Sequence, residues 1–130
     1  MHSLRPCLTV FVILFALCIG ATQSAEGGFN EGWAAYKRGD YATALREWRP
    51  LAESGDASAQ YNLGYMYTKG LGVTKDYKKA VKWFTKAANQ GVAKAQFSLG
   101  VIYQYGKGIS KDYKEAAKWY RKAAEQGDAY

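Results

Sequence analysis

The chain has 130 residues, with 18 Lys and Arg against 11 Asp and Glu for a formal charge of +7, which leaves room for one basic domain with a modest core. Its cysteines, Cys7 and Cys18, and its histidine, His2, all precede Ile19. The body of the protein therefore has no disulfide, thiolate nucleophile, imidazole base or His or Cys metal ligand.

Met1 to Arg5 is short and positively charged, Cys7 to Ile19 is an almost unbroken apolar run, and Ala21 to Ala25 offers small residues for cleavage. This pattern predicts a signal peptide over 1–24, cut after Ser24, with Thr22 and Ser24 at the positions a peptidase reads. The apolar run is shorter than the roughly 20 residues that span a bilayer, which disfavours a retained anchor. A lipoprotein site at Cys18 is disfavoured by Leu17 before it. The mature protein is then expected to be exported, periplasmic or secreted, and loses only Arg5 among its charges, so that 17 − 11 gives +6.

After Gly27 and Gly28, the residues Phe29, Trp33 and Tyr36 form one helical stripe. Gly39 breaks it, Asp40 is placed to cap the next helix, and Tyr41, Ala44, Leu45, Trp48, Leu51 and Ala52 continue at helical spacing. Pro50 falls within this stripe and is expected to bend the helix without ending it. Gly55 and Asp56 mark the next boundary, followed by Ala57, Ala59, Tyr61, Leu63, Gly64 and Tyr67. Ala59 and Gly64 lack bulk and should admit a neighbouring helix closely. In the turn Gly70-Leu71-Gly72 at least one glycine is expected at positive φ, with Val73 beneath. Thr74 or Asp76 then caps a helix that buries Tyr77, Ala80, Trp83, Phe84 and Ala87 and ends at Gly91.

The plan returns with Ala93, Ala95, Phe97, Leu99, Gly100 and Tyr103, the turn Gly106 to Ile109, the cap Asp112, and the face Tyr113, Ala116, Trp119, Tyr120 and Ala123. Residues 56–91 align with 92–127 at an offset of 36 without a gap, and 20 of 36 positions are identical. Asp40 precedes Asp76 by the same 36, so 29–55 is a degenerate first unit, and 128–130 begins a further one. A fixed period with two helical stripes per unit predicts an all-α stacked solenoid of helix hairpins. The last hairpin is expected to lack a covering helix and to offer a surface for homodimerisation through Trp119 and Tyr120.

Leu63-Gly64-x-x-Tyr67 and Leu99-Gly100-x-x-Tyr103 are each followed by Gly-x-Gly-Val/Ile, Asp-Tyr, Trp-aromatic, Lys-Ala-Ala and Gln-Gly. These residues resemble Sel1-like repeats, relatives of the tetratricopeptide repeats. The short turn Arg38-Gly39-Asp40 departs from that pattern and is closer to a plain tetratricopeptide unit. The resemblance implies a right-handed α-solenoid that binds protein or peptide, often in exported bacterial proteins, with the first helix of each hairpin lining the concave surface. Carried over by position, the groove would comprise Tyr61, Tyr65, Thr68 and Lys69, matched by Phe97, Val101, Gln104 and Tyr105.

Trp48, Trp83 and Trp119 lie within helical stripes at what the repeat suggests are matched positions, and are expected to be core. Lys75, Lys78, Lys82 and Lys86 recur as Lys111, Lys114, Lys118 and Lys122. They form either a solvated outer face or a ladder for an anionic surface such as lipid headgroups, acidic cell-wall polymers or an acidic protein. Nucleic acid is not expected, because no recognition motif is present. Asp40, Asp76 and Asp112 are explained as caps, no carboxylate pair is positioned, and Gly70-x-Gly72 follows no strand, so neither catalysis nor a cofactor is expected.

Overall fold

A computed structural model describes residues 25–127. The expected leader over 1–24 and the start of a further unit at 128–130 lie outside them. The described residues form six helices and no strand: α1 over 25–37, α2 Tyr41–Glu53, α3 Ala57–Lys69, α4 Tyr77–Asn89, α5 Ala93–Tyr105 and α6 Tyr113–Glu125. From α2 onward each helix packs mainly on the one before and the one after it. This is the connectivity of an all-α solenoid.

The boundaries follow from local chemistry. Asp40, Asp56, Asp76 and Asp112 each accept a hydrogen bond from the backbone amide three residues on, at 2.7–3.2 Å. Each so satisfies an amide that the helix leaves unpaired. Of the two caps open for α4, Asp76 is the one used. The hydrogen bonds from Thr43 hold the Asp40 carboxyl below its ordinary range. Val92 begins α5 with no side-chain cap. Pro50 lies inside α2, which runs on to Glu53.

Two glycines per repeat set how closely neighbours approach. A Cβ on Gly64 would lie 2.6 Å from the Phe84 ring, and one on Gly100 would lie 2.6 Å from the Tyr120 ring. The helix pairs α3–α4 and α5–α6 therefore close over a bare backbone. Gly72 and Gly108 have positive φ, 66° and 68°. Their missing Cβ atoms would stand 2.9 Å from the Tyr41 Cβ and 2.5 Å from the Tyr77 Cβ. The turn of each unit thus rests on the tyrosine that opens the second helix of the unit before.

That contact explains one departure from expectation. Tyr113 occupies the position of Tyr41 and Tyr77, yet it is 68% exposed because no turn among the described residues covers it. Trp119, by contrast, is 5% exposed, and Tyr120 is half-buried against α5. The open face of α6 is therefore presented by Tyr113 and not by Trp119 and Tyr120.

The tryptophans also fall into a different register from the one expected. Trp48 packs over Gly32 as Phe84 does over Gly64 and Tyr120 over Gly100, in keeping with 48 + 36 = 84 and 84 + 36 = 120. Trp83 and Trp119 repeat one another but not Trp48, and Trp83 is only half-buried. The core is in two parts. One is centred on Leu45, Trp48, Leu63 and Met66, the other on Phe84, Leu99, Ile102 and Trp119, and Val73 and Trp83 pack against both.

Successive units are also joined by glutamines. Gln60 Nε2 donates to the Ala52 carbonyl at 3.1 Å, while its Oε1 accepts from Gln90 Nε2 at 2.8 Å. Gln96 repeats this with the Ala88 carbonyl and Gln126, at 3.1 and 2.7 Å. Both Gln60 and Gln96 are buried. Replacing Gln60 with Leu removes both bonds, but the Ala52 carbonyl still accepts from the Gly55 amide at 3.1 Å and Gln90 Nε2 still donates to the Gly55 carbonyl at 2.9 Å, so the cost in urea denaturation should be about 1 kcal/mol. An unchanged midpoint would show that the relay adds nothing to stability.

Candidate functional site: a groove along the first helices

The turn between α1 and α2 (38–40) is four residues shorter than that between α3 and α4 (70–76). Positions on α1 are therefore related to those on α3 by 36 − 4 = 32, and Gly32 matches Gly64. By this offset Phe29, Tyr61 and Phe97 form one row across α1, α3 and α5, and Trp33, Tyr65 and Val101 form the next. The ring pairs agree, because Phe29–Trp48, Tyr61–Phe84 and Phe97–Tyr120 all have centroids 5.4–6.0 Å apart.

Two clefts open along these rows. The first, of about 530 Å³, is walled by Phe29, Trp33, Tyr36, Trp48, Tyr61 and Tyr65, with Ser58, Asn62, Val92 and Lys94 at its margin. Its aromatic wall is internally packed. Trp33 stacks on Tyr36 with centroids 5.5 Å apart, and Trp48 Nε1 donates to the Phe29 carbonyl at 3.1 Å. Burial and then the neighbouring Tyr65 raise the Tyr36 hydroxyl above its usual pKa, so it stays protonated. The second cleft, of about 450 Å³, is lined by Tyr65, Thr68, Lys69, Lys75, Tyr77, Phe84, Phe97, Ser98, Val101, Ile102 and Lys107. Tyr65 lines both clefts, so they adjoin along the first helices.

Of the groove residues expected from sequence, Tyr61, Tyr65, Thr68, Lys69, Phe97 and Val101 line these clefts. Gln104 and Tyr105 line neither. Gln104 Oε1 accepts a 2.7 Å bond from the Tyr120 hydroxyl, and Tyr105 is 58% exposed at the end of α5. Phe29, Trp33 and Tyr36 were legible as a helical stripe but not as groove; comparison at 32 instead of 36 exposes them. Tyr77, which opens α4, and Lys107, in the turn after α5, also line the second cleft and carry no groove signal in the repeat.

The lysines divide. Lys78, Lys82 and Lys86 on α4 and Lys114, Lys118 and Lys122 on α6 are exposed. Lys86 stands over Trp83 at 4.8 Å, Lys118 and Lys122 stand over Trp119 at 5.3 and 4.9 Å, and Lys118 also pairs with Glu115 at 3.3 Å. Lys75 and Lys111 precede the helices and so leave the helical row. Lys111 is exposed beside Gly106, whereas Lys75 joins the wall of the second cleft.

Among the described residues, no group of three or more His, Cys, Asp or Glu is placed to hold a metal ion. No described helix is long and apolar enough to cross a membrane.

The family model of the Sel1 repeat matches residues 57–92 and 93–128. Among solved structures, the chain is similar to a Sel1 repeat protein from Oxalobacter formigenes. The two are 49% identical with a TM-score of 0.70, over 73% of this chain and 39% of that one. It is also similar to c5321, a protective antigen present in uropathogenic Escherichia coli strains displaying an SLR fold. Here identity is 40% and the TM-score 0.74, over 80% of this chain and 23% of that one. The chain thus spans less than half the length of either. No curated protein matches it.

Proposed function

Since the chain belongs to the Sel1 repeat family, whose members generally serve as protein-interaction scaffolds, we propose that it is an exported, non-enzymatic adaptor that holds an extended segment of a partner protein along α1, α3 and α5. The observation that carries this reading is the adjacency of the two clefts, which share Tyr65. An extended peptide advances about 3.3 Å per residue and buries alternate side chains, so a row of adjoining aromatic pockets suits it. Export draws its support from the leader pattern at the N-terminus.

A pull-down from envelope extract tests the adaptor reading. A partner retained at high salt should be lost with Tyr65→Ala and Phe97→Ala but kept when Lys78, Lys82, Lys114 and Lys118 are changed to Glu. The reverse pattern, with capture that fades as salt screens the charges, would replace it with attachment of the lysine face to an anionic envelope surface. Self-association through the C-terminal hairpin belongs to the same proposal, and the exposure of Tyr113 there supports it. Sedimentation should give a dimer that Tyr113→Ser weakens, and a monomer at high concentration would remove this element.

A further inference from the structure

The two clefts differ in charge, and the difference specifies the ligand. The first is lined by aromatic and neutral residues with Lys94 at its margin, and Lys37 stands over the Trp33 ring at 5.4 Å. The second carries Lys69, Lys75 and Lys107 and no carboxylate among its lining residues. The two ion pairs of the described residues, Arg46–Glu47 and Lys118–Glu115, lie elsewhere. Each of the three ammonium groups stands over a tyrosine ring: Lys69 over Tyr65 at 5.9 Å, Lys75 over Tyr77 at 5.2 Å and Lys107 over Tyr105 at 5.9 Å. Such contacts restrict a lysine without neutralising it. At the opposite end, a smaller hollow that shares Phe29 and Ser58 with the first cleft carries Glu26 and Asp56. The groove is therefore acidic beside α1, aromatic in the middle and basic beside α5.

We infer that the partner segment is an acidic peptide in which a large apolar side chain is followed, or preceded, by carboxylates, the apolar residue seating in the first cleft and the carboxylates lying among Lys69, Lys75 and Lys107. This rests on the groove reading above and adds the chemistry of the ligand and the cleft in which each part of it seats. The apolar anchor supplies affinity through buried aromatic area. The lysines supply selectivity, since three like charges lining one cleft favour an anionic guest and repel a basic one. Repulsion from Glu26 and Asp56 keeps the carboxylates away from the α1 end.

The test is selection of random dodecapeptides on the purified protein, followed by fluorescence anisotropy on an enriched peptide. Enriched peptides should pair a Phe, Leu or Trp with two or more acidic residues. Exchange of those Glu for Gln should weaken binding about tenfold at low salt, an effect of charge-assisted contacts that high salt reduces. In the variant Lys69→Ser/Lys75→Ser/Lys107→Ser, the Glu and Gln peptides should bind alike. All three lysines are exposed, so the variant should keep the wild-type circular dichroism. Enrichment of neutral or basic apolar peptides that still compete at Tyr65 would overturn the acidic assignment and leave the groove standing. Failure to enrich any peptide would overturn both.

Discussion

Changing Gly108 to Ala should remove about 3 kcal/mol of stability, whereas Ala at Gly39 should cost about 1 kcal/mol. Both residues have positive φ, 68° and 79°, so both substitutions carry the strain of a left-handed L-residue. Only at Gly108 does the new methyl meet something. It would fall 2.5 Å from the Tyr77 Cβ, whereas nothing lies within 4 Å of a Cβ on Gly39. A Cβ cannot rotate away as a ring edge can, so α4 or the turn must shift. Thermal melts should show Gly108→Ala lower by more than about 10 °C and Gly39→Ala by a few degrees. Equal losses would mean that the turn is not pressed against the preceding unit.

Truncating Trp48 to Ala should cost about 3–5 kcal/mol, the range for a fully buried large aromatic. Trp48 is 1% exposed and touches Phe29, Trp33 and Tyr36, with centroids 5.8–6.3 Å away. Its removal deletes the floor between α1 and α2 and the wall of the first cleft together. Trp33 is 43% exposed, and Trp33→Ala should lower stability by only about 1 kcal/mol while reducing peptide binding. Urea denaturation separates the two. A small loss at Trp48 would show that α1 contributes little to the folded core.

The helices, their aspartate caps and the bare contact at Gly64 were readable because each is written in a few neighbouring residues: an Asp before an apolar stripe, or a Gly on the side that must meet a ring. The family resemblance was legible for the same reason, since Leu63-Gly64-x-x-Tyr67 and Leu99-Gly100-x-x-Tyr103 preserve that local grammar. What escaped depends on contacts between helices that are far apart in sequence. The Gln60–Gln90 bond joins residues 30 positions apart, and neither glutamine differs in type from a solvated one. The extension of the groove onto α1 was hidden by a turn four residues short, which breaks the 36-residue comparison. Lys75 fits a helical row by spacing, yet it sits ahead of the cap Asp76, where the backbone has not begun to wind. Tyr113 reads as core by analogy with Tyr77 and is exposed because the neighbour that covers Tyr77 has no counterpart over it among the described residues.

Val73 and Trp83 are half-buried, but among the described partly buried residues they alone are packed against both parts of the core. In a linear stack, such bridging residues set the length over which opening is cooperative. With them in place, fraying that begins at one end must disturb the other half before it can stop. The groove straddles that junction through Tyr65, so a bound segment would act as a splint across the joint, and occupancy would be felt as slower amide exchange in helices that the ligand never touches.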